Sequence, residues 1–167
     1  MAELTTGERL QPSLLDRLTD DDPAKSAESR DKRVMSLEQI REAVQRDLAS
    51  LLNAGNLEAF EDLESYPEVR HSVINYGVPE LAGATVADAD TEAIEEMLQR
   101  AIVDFEPRIL PKSLRVRVVT NPDEMHRRAM IFEIEGQIWS QPMPLRLFWN
   151  TEVDLETGDV TVSEKTR

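Results

Sequence analysis

The chain has 167 residues, a formal net charge of −14, a hydrophobic fraction of 40% and no cysteine. These values predict one soluble domain with a tail. They exclude disulfides, thiolate metal sites and cysteine nucleophiles, and they are typical of a cytoplasmic protein. Such an acidic surface repels nucleic acid and anionic membranes, and no apolar run approaches the roughly 20 residues that span a bilayer.

The first 35 residues are predicted to be a docking segment followed by a polar linker. Leu14, Leu15 and Leu18 share one face of a short helix, and an element this short does not persist alone in water. It must dock either on its own core or on a partner, and both remain open. Residues 36–167 are predicted to form a single domain.

Two longer helices are predicted in the first two thirds of that domain. Ser36 and Gln39 form a capping-box pattern that opens a helix with an apolar stripe, made of Leu37, Ile40, Val44, Leu48 and Leu51. Asp90 or Thr91 caps the second helix, whose apolar side contains Ile94, Met97, Leu98, Ala101, Ile102 and Phe105.

The stretch between these helices is predicted to hold a short helix of its own. Pro67 suits the first position of that helix, and Gly77 suits its left-handed end. His71 is interpreted as structural, because a lone histidine beside apolar neighbours rarely binds a ligand. Three apolar side chains are predicted to face a core: Val69, Val73 and Tyr76.

After residue 113 the apolar period changes from that of a helix to two, which indicates strands. Strands are predicted at residues 114–119, 129–139, 145–155 and 160–162, and Gly136 favours a bulge in the second. Residues 156–159 are predicted to close a hairpin. Helices followed by an antiparallel sheet predict an α+β fold, with the N-terminal helices packed on one face of the C-terminal sheet.

The segment FEPRI lies where the helical pattern gives way to strands. Pro107 fixes its own φ and pushes Glu106 out of the helical region, so the helix must end there. Glu106 and Arg108 then lie on a stiff corner that suits an oriented, two-bonded ion pair. We predict a structural pair, because a carboxylate held by a guanidinium is poorly placed to act as a general acid.

No segment carries the sequence pattern of a known catalytic, nucleotide or metal site. There is no GxGxxG, Walker loop, HExxH, GxSxG or cysteine cluster, so no cofactor, metal or catalytic residue is predicted. The enzyme class left open is a two-carboxylate hydrolase. With 33 acidic residues present, a chance pair is nearly certain, so their abundance has no weight.

Charge is distributed unevenly along the chain. Residues 36–104 carry a net charge of −11, whereas the last third is nearly neutral. Such asymmetry is typical of assemblies with a charged partner face, or it is an ordinary solvated surface. Basic clusters that bind nucleic acid usually have interleaved aromatic residues, which are absent here. An acidic protein partner is therefore predicted for the cluster formed by Arg115, Arg117, Arg127 and Arg128.

Several segments in chain order resemble the TssE family. Its members are small baseplate subunits of bacterial type VI secretion systems, and they are similar to a phage tail baseplate wedge protein once labelled lysozyme-like. The combination of NYGVP with FEPRI one helix later is the most specific feature. The matching segments are LLDRL (14–18), YPEVRHSVINYGVPEL (66–81), AIVDFEPRI (101–109), IFEIEGQI (131–138) and LRLFWNTEVDLETGDV (145–160).

The resemblance implies a non-enzymatic subunit of the cytoplasmic baseplate. Its partners would be TssF, TssG and TssK, and it would help template assembly of the TssB–TssC sheath. Glu106, Pro107 and Arg108 match the Glu-Pro-Arg motif of the family. The resemblance also implies that sheath subunits join by strand exchange. Since no later element covers the strands at residues 145–162, an edge there is predicted to accept a sheath strand.

Two other functions remain open at this point. One is a peptidoglycan-cleaving, lysozyme-like hydrolase, and the other is a soluble adaptor that binds one partner and assembles nothing.

Overall fold

The computed structural model describes residues 13–18, 36–79, 90–119, 129–139 and 144–164. Within these ranges the helices come first and the strands last. None of the helices in these ranges is long and apolar enough to cross a bilayer. The helices are α1 (Leu14–Leu18), α2 (Leu37–Leu52), α3 (Pro67–Arg70) and α4 (Thr91–Phe105), and the strands are β1 (Arg115–Val119), β2 (Ala129–Ile138), β3 (Leu145–Asp154) and β4 (Val160–Glu164).

The four strands form one sheet in the order β1-β2-β3-β4, and every neighbouring pair is antiparallel. Chain order and spatial order therefore coincide, as in a meander. The β3–β4 hairpin turns at the predicted residues, and Gly158 adopts a positive φ of 81° there. The predicted α+β fold is confirmed.

Gly136 is not at a bulge, and that expectation was wrong. It pairs with Leu147 inside an uninterrupted β2–β3 register. A Cβ atom added to Gly136 would lie 3.1 Å from Cγ2 of Ile109, which follows the FEPRI proline. A larger residue here would require Ile109 to shift, because another part of the chain approaches the strand closely.

Side-chain caps define where the two long helices begin. Ser36 Oγ accepts the N–H of Gln39 at 3.1 Å, and Gln39 Oε1 accepts the N–H of Ser36 at 2.8 Å. Asp90 Oδ1 accepts the N–H of Ala93 at 3.1 Å and caps α4. Both predicted caps are confirmed. Leu37 was predicted to be the first residue of the apolar stripe of α2. It lies at the N-terminal end of the helix and is half-exposed, so it differs from that prediction.

The core lies between one face of the sheet and the apolar stripes of α2 and α4. Burial alternates along β2 and β3, so every second side chain points into that core. Helix α2 packs beside β4, and α4 packs beside β1. The predicted packing of helices on one sheet face is confirmed, and it sets α2 and α4 against the two outer strands. The largest fully buried side chains include Trp149, Phe132, Leu48, Leu51, Ile102 and Ile109.

Candidate assembly surfaces

The FEPRI corner buries a carboxylate and pairs it with a guanidinium. Glu106 is 3% exposed. Arg108 Nε donates to Glu106 Oε1 at 2.6 Å, and Arg108 Nη2 donates to Glu106 Oε2. The N–H of Arg108 also donates to Glu106 Oε1, at 3.2 Å. Both carboxylate oxygens are therefore occupied as acceptors by one residue, in the two-bonded geometry that suits this pair.

The corner continues into a chain of alternating charges. Arg108 Nη2 also donates to Asp47 Oδ2 of α2 at 2.5 Å. Asp47 Oδ1 accepts from Arg46 Nη2 at 2.7 Å, and the same nitrogen lies 2.7 Å from Asp16 Oδ1 of α1. Burial alone would lower the pKa of Arg108, but Glu106 and then Asp47 raise that pKa well above its ordinary value. Arg108 therefore stays charged and links the corner to α2, and Arg46 extends the chain of charges to α1.

The backbone after Glu106 joins the corner to the end of β2. Ile109 forms a bridge with Ile138. The N–H of Trp139 donates to the carbonyl of Arg108 at 2.9 Å, and the N–H of Leu110 donates to that of Gln137 at 2.8 Å. One short segment thus fastens α4, α2 and the sheet together, with its charged groups facing each other.

Helix α1 is attached through its polar side. Asp16 accepts a hydrogen bond from Ser13 Oγ at 2.7 Å as well as the ion pair from Arg46. The three leucines of the helix, Leu14, Leu15 and Leu18, are all exposed. In the described structure they do not pack on the core, so α1 presents an apolar face to solvent.

The outer edge of β4 is bonded by side chains of α2 and of Asn53, the residue that caps the C-terminal end of that helix. Hydrogen bonding alternates along antiparallel strands, and the bond from the N–H of Asp154 to the carbonyl of Asp159 fixes the phase. The backbone groups of Val160 and Val162 therefore face away from β3. Asn53 bonds both groups of Val160, donating to its carbonyl at 2.8 Å and accepting its N–H at 2.9 Å. Gln45 Nε2 donates to the carbonyl of Val162 at 2.8 Å.

The outer edge of β1 carries a side chain of α4. The same alternation makes the backbone groups of Val116 and Val118 face away from β2. The N–H of Val118 donates to Glu95 Oε1 at 2.8 Å.

The sequence predicted an uncovered edge at residues 145–162, since no later helix or strand was predicted to cover it. Instead, an earlier helix reaches that edge, and a sequence offers no direct signal for such a distant contact.

The predicted basic cluster has mixed surroundings where it is described. Arg115 and Arg117 are exposed on the sheet face that points away from the core. The register sets Glu135 opposite Arg115 and Glu133 opposite Arg117. This face is therefore mixed in charge, where sequence alone indicated a basic patch. The other two members of the cluster, Arg127 and Arg128, lie outside the described residues.

Residues 55–78 lie between α2 and α4 and form a loop whose two ends are hydrogen-bonded to each other, called here the 55–78 loop. At its base the N–H of Val78 donates to the carbonyl of Ala54 at 2.8 Å. The buried Asn75 accepts the N–H of Glu58 and donates to the carbonyl of Arg70, both at 2.9 Å. Glu58 and Arg70 also form an ion pair at 2.5 Å. Polar side chains therefore hold the inside of this loop.

The loop exposes several apolar side chains, one of which the sequence pattern assigned to a core. The prediction for Val73 was wrong, because Asn75 takes the buried position of that turn and Val73 points into solvent. Tyr76 does pack on the core, edge-on to Phe105 with ring centroids 5.3 Å apart. Gly77 has the expected positive φ, at 121°, but it does not end the predicted helix, because α3 already ends at Arg70. The large exposed side chains of the loop are Phe60, Tyr66, Val73 and Ile74.

One further contact ties the loop to α4. His71 Nδ1 lies 2.8 Å from Asp104 Oδ2, at the exposed surface. Among the described residues, no group of three or more His, Cys, Asp or Glu side chains could hold a metal ion.

Comparison with known proteins identifies the family. The family model for baseplate wedge protein gp25 matches residues 38–143, more than half of the chain, from α2 to beyond β2. No curated protein and no solved structure matches the chain. The matched range contains the 55–78 loop, the FEPRI corner and both helices that reach the sheet edges. The chain therefore belongs to the gp25 family of baseplate wedge proteins, structural components of phage-tail-like baseplates.

Proposed function

We propose that the chain is the TssE-type subunit of a type VI secretion baseplate, on the cytoplasmic side of the inner membrane. In this role it binds TssF, TssG and TssK and helps to template the first ring of the TssB–TssC sheath. The observation that carries the proposal is the sheet. Its two outer strands are bonded on their outer sides by helix side chains, which an incoming strand can replace.

Strand addition is the mechanism that this sheet supports best. An edge strand offers backbone donors and acceptors at a regular spacing, and a partner strand completes them. A side chain that bonds one of these groups protects the free subunit from unwanted pairing. When a partner strand arrives, each side-chain bond is exchanged for a backbone bond, so the exchange costs little.

The described contacts favour the β1 edge as the acceptor. At the β4 edge, Asn53 and Gln45 together make three hydrogen bonds. In the described part of the chain the β1 edge shows one, from Glu95. Glu95 can also return to water, where a carboxylate is well solvated. Arg115 and Arg117 lie on this same strand and would steer an acidic sheath segment to it.

The exposed leucines of α1 provide a second contact in this proposal. An apolar helix face held outward by an ion pair is suited to a baseplate partner. Deleting residues 1–22 should leave a cooperatively folded domain that has lost affinity for TssF, TssG or TssK. Unfolding of the truncated protein would instead show that α1 belongs to the core.

Co-purification tests the proposed subunit role. The tagged chain should capture TssF, TssG and TssK together when they are co-expressed. Capture of a single protein would favour a soluble adaptor, and capture of none would contradict the proposal. A zymogram tests the remaining alternative, a peptidoglycan hydrolase. Lysis by the wild-type protein that a folded Glu106→Gln protein does not show would favour the hydrolase.

Paired proline substitutions test strand addition. Proline removes one backbone donor, and at an outward position it leaves the bonds to the neighbouring strand intact. Val118→Pro at β1 should block sheath initiation, whereas Glu164→Pro at the end of β4 should allow it. Normal initiation by a folded Val118→Pro protein would refute pairing at β1. A block by Glu164→Pro alone would move the acceptor to β4.

A further inference from the structure

We infer that the 55–78 loop is a second docking surface, which binds a basic, apolar segment of another baseplate subunit. This inference rests on the proposed baseplate role but not on strand addition, because the loop is separate from both sheet edges. It concerns four large apolar side chains that the fold does not use.

The exposure of these side chains is unusual for residues on an ordered turn. Val73 is 82% exposed, Phe60 81%, Ile74 67% and Tyr66 61%. Phe60 follows the turn whose Glu58 N–H is bonded to Asn75, and Val73 and Ile74 directly precede Asn75. Phe60 therefore projects from one turn of the loop, and Val73 and Ile74 project from the adjacent turn. Grouped exposed apolar residues mark interaction sites, whereas scattered single ones carry no such meaning.

The loop holds these side chains in place before any partner arrives. Its ends are joined by backbone bonds between Ala54, Asn56 and Val78. Leu63 is buried at 5% exposure and lies outside the main core cluster, so the loop has an apolar anchor of its own. A surface that is already ordered loses little conformational entropy on binding, which favours affinity.

The charge around the apolar side chains specifies the partner. The loop contains five acidic residues and one arginine, a net charge of −4 with histidine neutral. Most of the acids are exposed, and they flank the apolar positions in sequence. A partner segment with apolar anchors between lysines or arginines complements this surface. A second copy of the chain or an anionic membrane would meet charge of the same sign. The exposed acids are Glu61, Asp62, Glu64 and Glu68.

The experiment measures the affinity of the full chain for purified TssF, TssG and TssK, each immobilised in turn. The variant Val73→Ser with Ile74→Ser should weaken binding to one of them by about tenfold or more, as loss of an interface anchor does. Leu37→Ser, which changes a half-exposed leucine on α2, serves as the matched control and should leave the affinity unchanged. Both variants alter exposed positions, so circular dichroism and melting should match the wild type.

Charge reversal tests the chemistry of the partner. Glu61→Lys with Glu64→Lys should weaken the same interaction and reduce its dependence on salt. Glu92→Lys with Glu96→Lys on α4 is the matched control. Tiled peptides from the bound subunit should locate the binding segment, and changing its lysines and arginines to glutamate should abolish binding.

The outcomes separate this inference from the proposed function. If the wild-type chain binds none of the three subunits, the proposed function fails. If it binds and the Val73→Ser, Ile74→Ser variant binds equally well, the loop inference is overturned and the baseplate role stands. Self-association or binding to anionic vesicles that this variant abolishes would also overturn the inference, since either result assigns the surface to another occupant.

Discussion

The FEPRI corner and the 55–78 loop use polar and apolar groups in opposite ways. In the corner, Glu106 is buried and satisfied by Arg108, while Ile109 packs against the sheet. In the loop, Asn75 is buried and satisfied by backbone groups, while Val73 points into solvent. A buried polar side chain that has hydrogen-bond partners is therefore common to both regions. The two regions differ in the direction of their apolar side chains. At the corner the apolar side chain packs inward and stabilises the fold, whereas in the loop the apolar side chain points into solvent and forms part of a surface.

The energetic consequence of the two arrangements also differs. Replacing a buried ion pair by apolar residues is often neutral, but removing one partner leaves an uncompensated charge. Removing an exposed apolar side chain leaves nothing uncompensated. Single substitutions should therefore affect stability strongly at the corner and binding at the loop, and the following predictions test that division in order of expected size.

The largest effect should come from Arg108→Ala. Glu106 would remain buried without its guanidinium, so the free energy of unfolding should fall by about 3–5 kcal/mol. Urea denaturation measures this change. Arg46→Ala is the control, because the Arg46 side chain is itself 53% exposed, and ion pairs of solvent-exposed side chains are worth about 0–1 kcal/mol. Wild-type melting and normal sheath assembly by Arg108→Ala would show that the corner does not fasten the fold.

A smaller loss is expected at the base of the loop. Gly77→Ala would force a side chain into positive φ and place its Cβ 2.3 Å from the carbonyl oxygen of Ala54. The strain should lower stability by about 1–3 kcal/mol. Gly55→Ala is the matched control, since a Cβ there meets nothing within 4 Å. Equal melting temperatures for the two variants would mean that the loop does not need this closure.

The exposed loop positions should have almost no effect on stability. Val73→Ser with Ile74→Ser should change the free energy of unfolding by no more than about 0.5 kcal/mol, because neither side chain is buried. Thermal melting beside Leu37→Ser measures the difference. A loss comparable to that of Gly77→Ala would place these residues in a core and remove the contrast between the two regions.

The smallest effect concerns the attachment of α1 at low pH. Burial alone would raise the pKa of Asp16, but its hydrogen bonds with Ser13 and Arg46 and the charge of Arg46 lower it below the ordinary value of 3.8. The ionised form is therefore favoured in the folded state. Its contribution is fully present above pH 3.8 and is lost as the pH falls through the lower folded pKa.

Amide exchange in α1 between neutral pH and pH 3 measures this attachment. Protection should fall only in the acidic range, and Asp16→Asn should lose protection at neutral pH. Equal protection of α1 in Asp16→Asn and in the wild type at neutral pH would show that the ion pair does not hold the helix.

Local chemistry made most of the fold predictable from the sequence. The capping box at Ser36, the cap at Asp90 and the alternation along β2 depend on residues close in sequence, and the structure confirms them. The ion pair at Glu106 and Arg108 was accessible for the same reason, because Pro107 fixes the backbone between them.

The misses at Gly136, at Val73 and at the β4 edge involve contacts between distant parts of the chain. Gly136 looked like a bulge because nothing in β2 announces the approach of Ile109. Val73 looked like a core residue because its helical spacing gave no sign that Asn75 would be buried instead. The bonds from Asn53 and Gln45 to β4 span more than 100 residues, so the covered edge could not be inferred from the order of elements.

Counting sheaths tests the central claim most directly. Cells carrying a fluorescent TssB subunit would be imaged with the chain deleted, and then with the wild type, Val118→Pro or Glu106→Gln restored at equal levels. The account predicts few or no sheaths in the deletion, recovery with the wild type, and no recovery with Val118→Pro. It also predicts that Glu106→Gln restores the number of sheaths in proportion to the fraction of the variant protein that is folded. Sheaths at wild-type number in the deletion strain would contradict a role in templating sheath assembly.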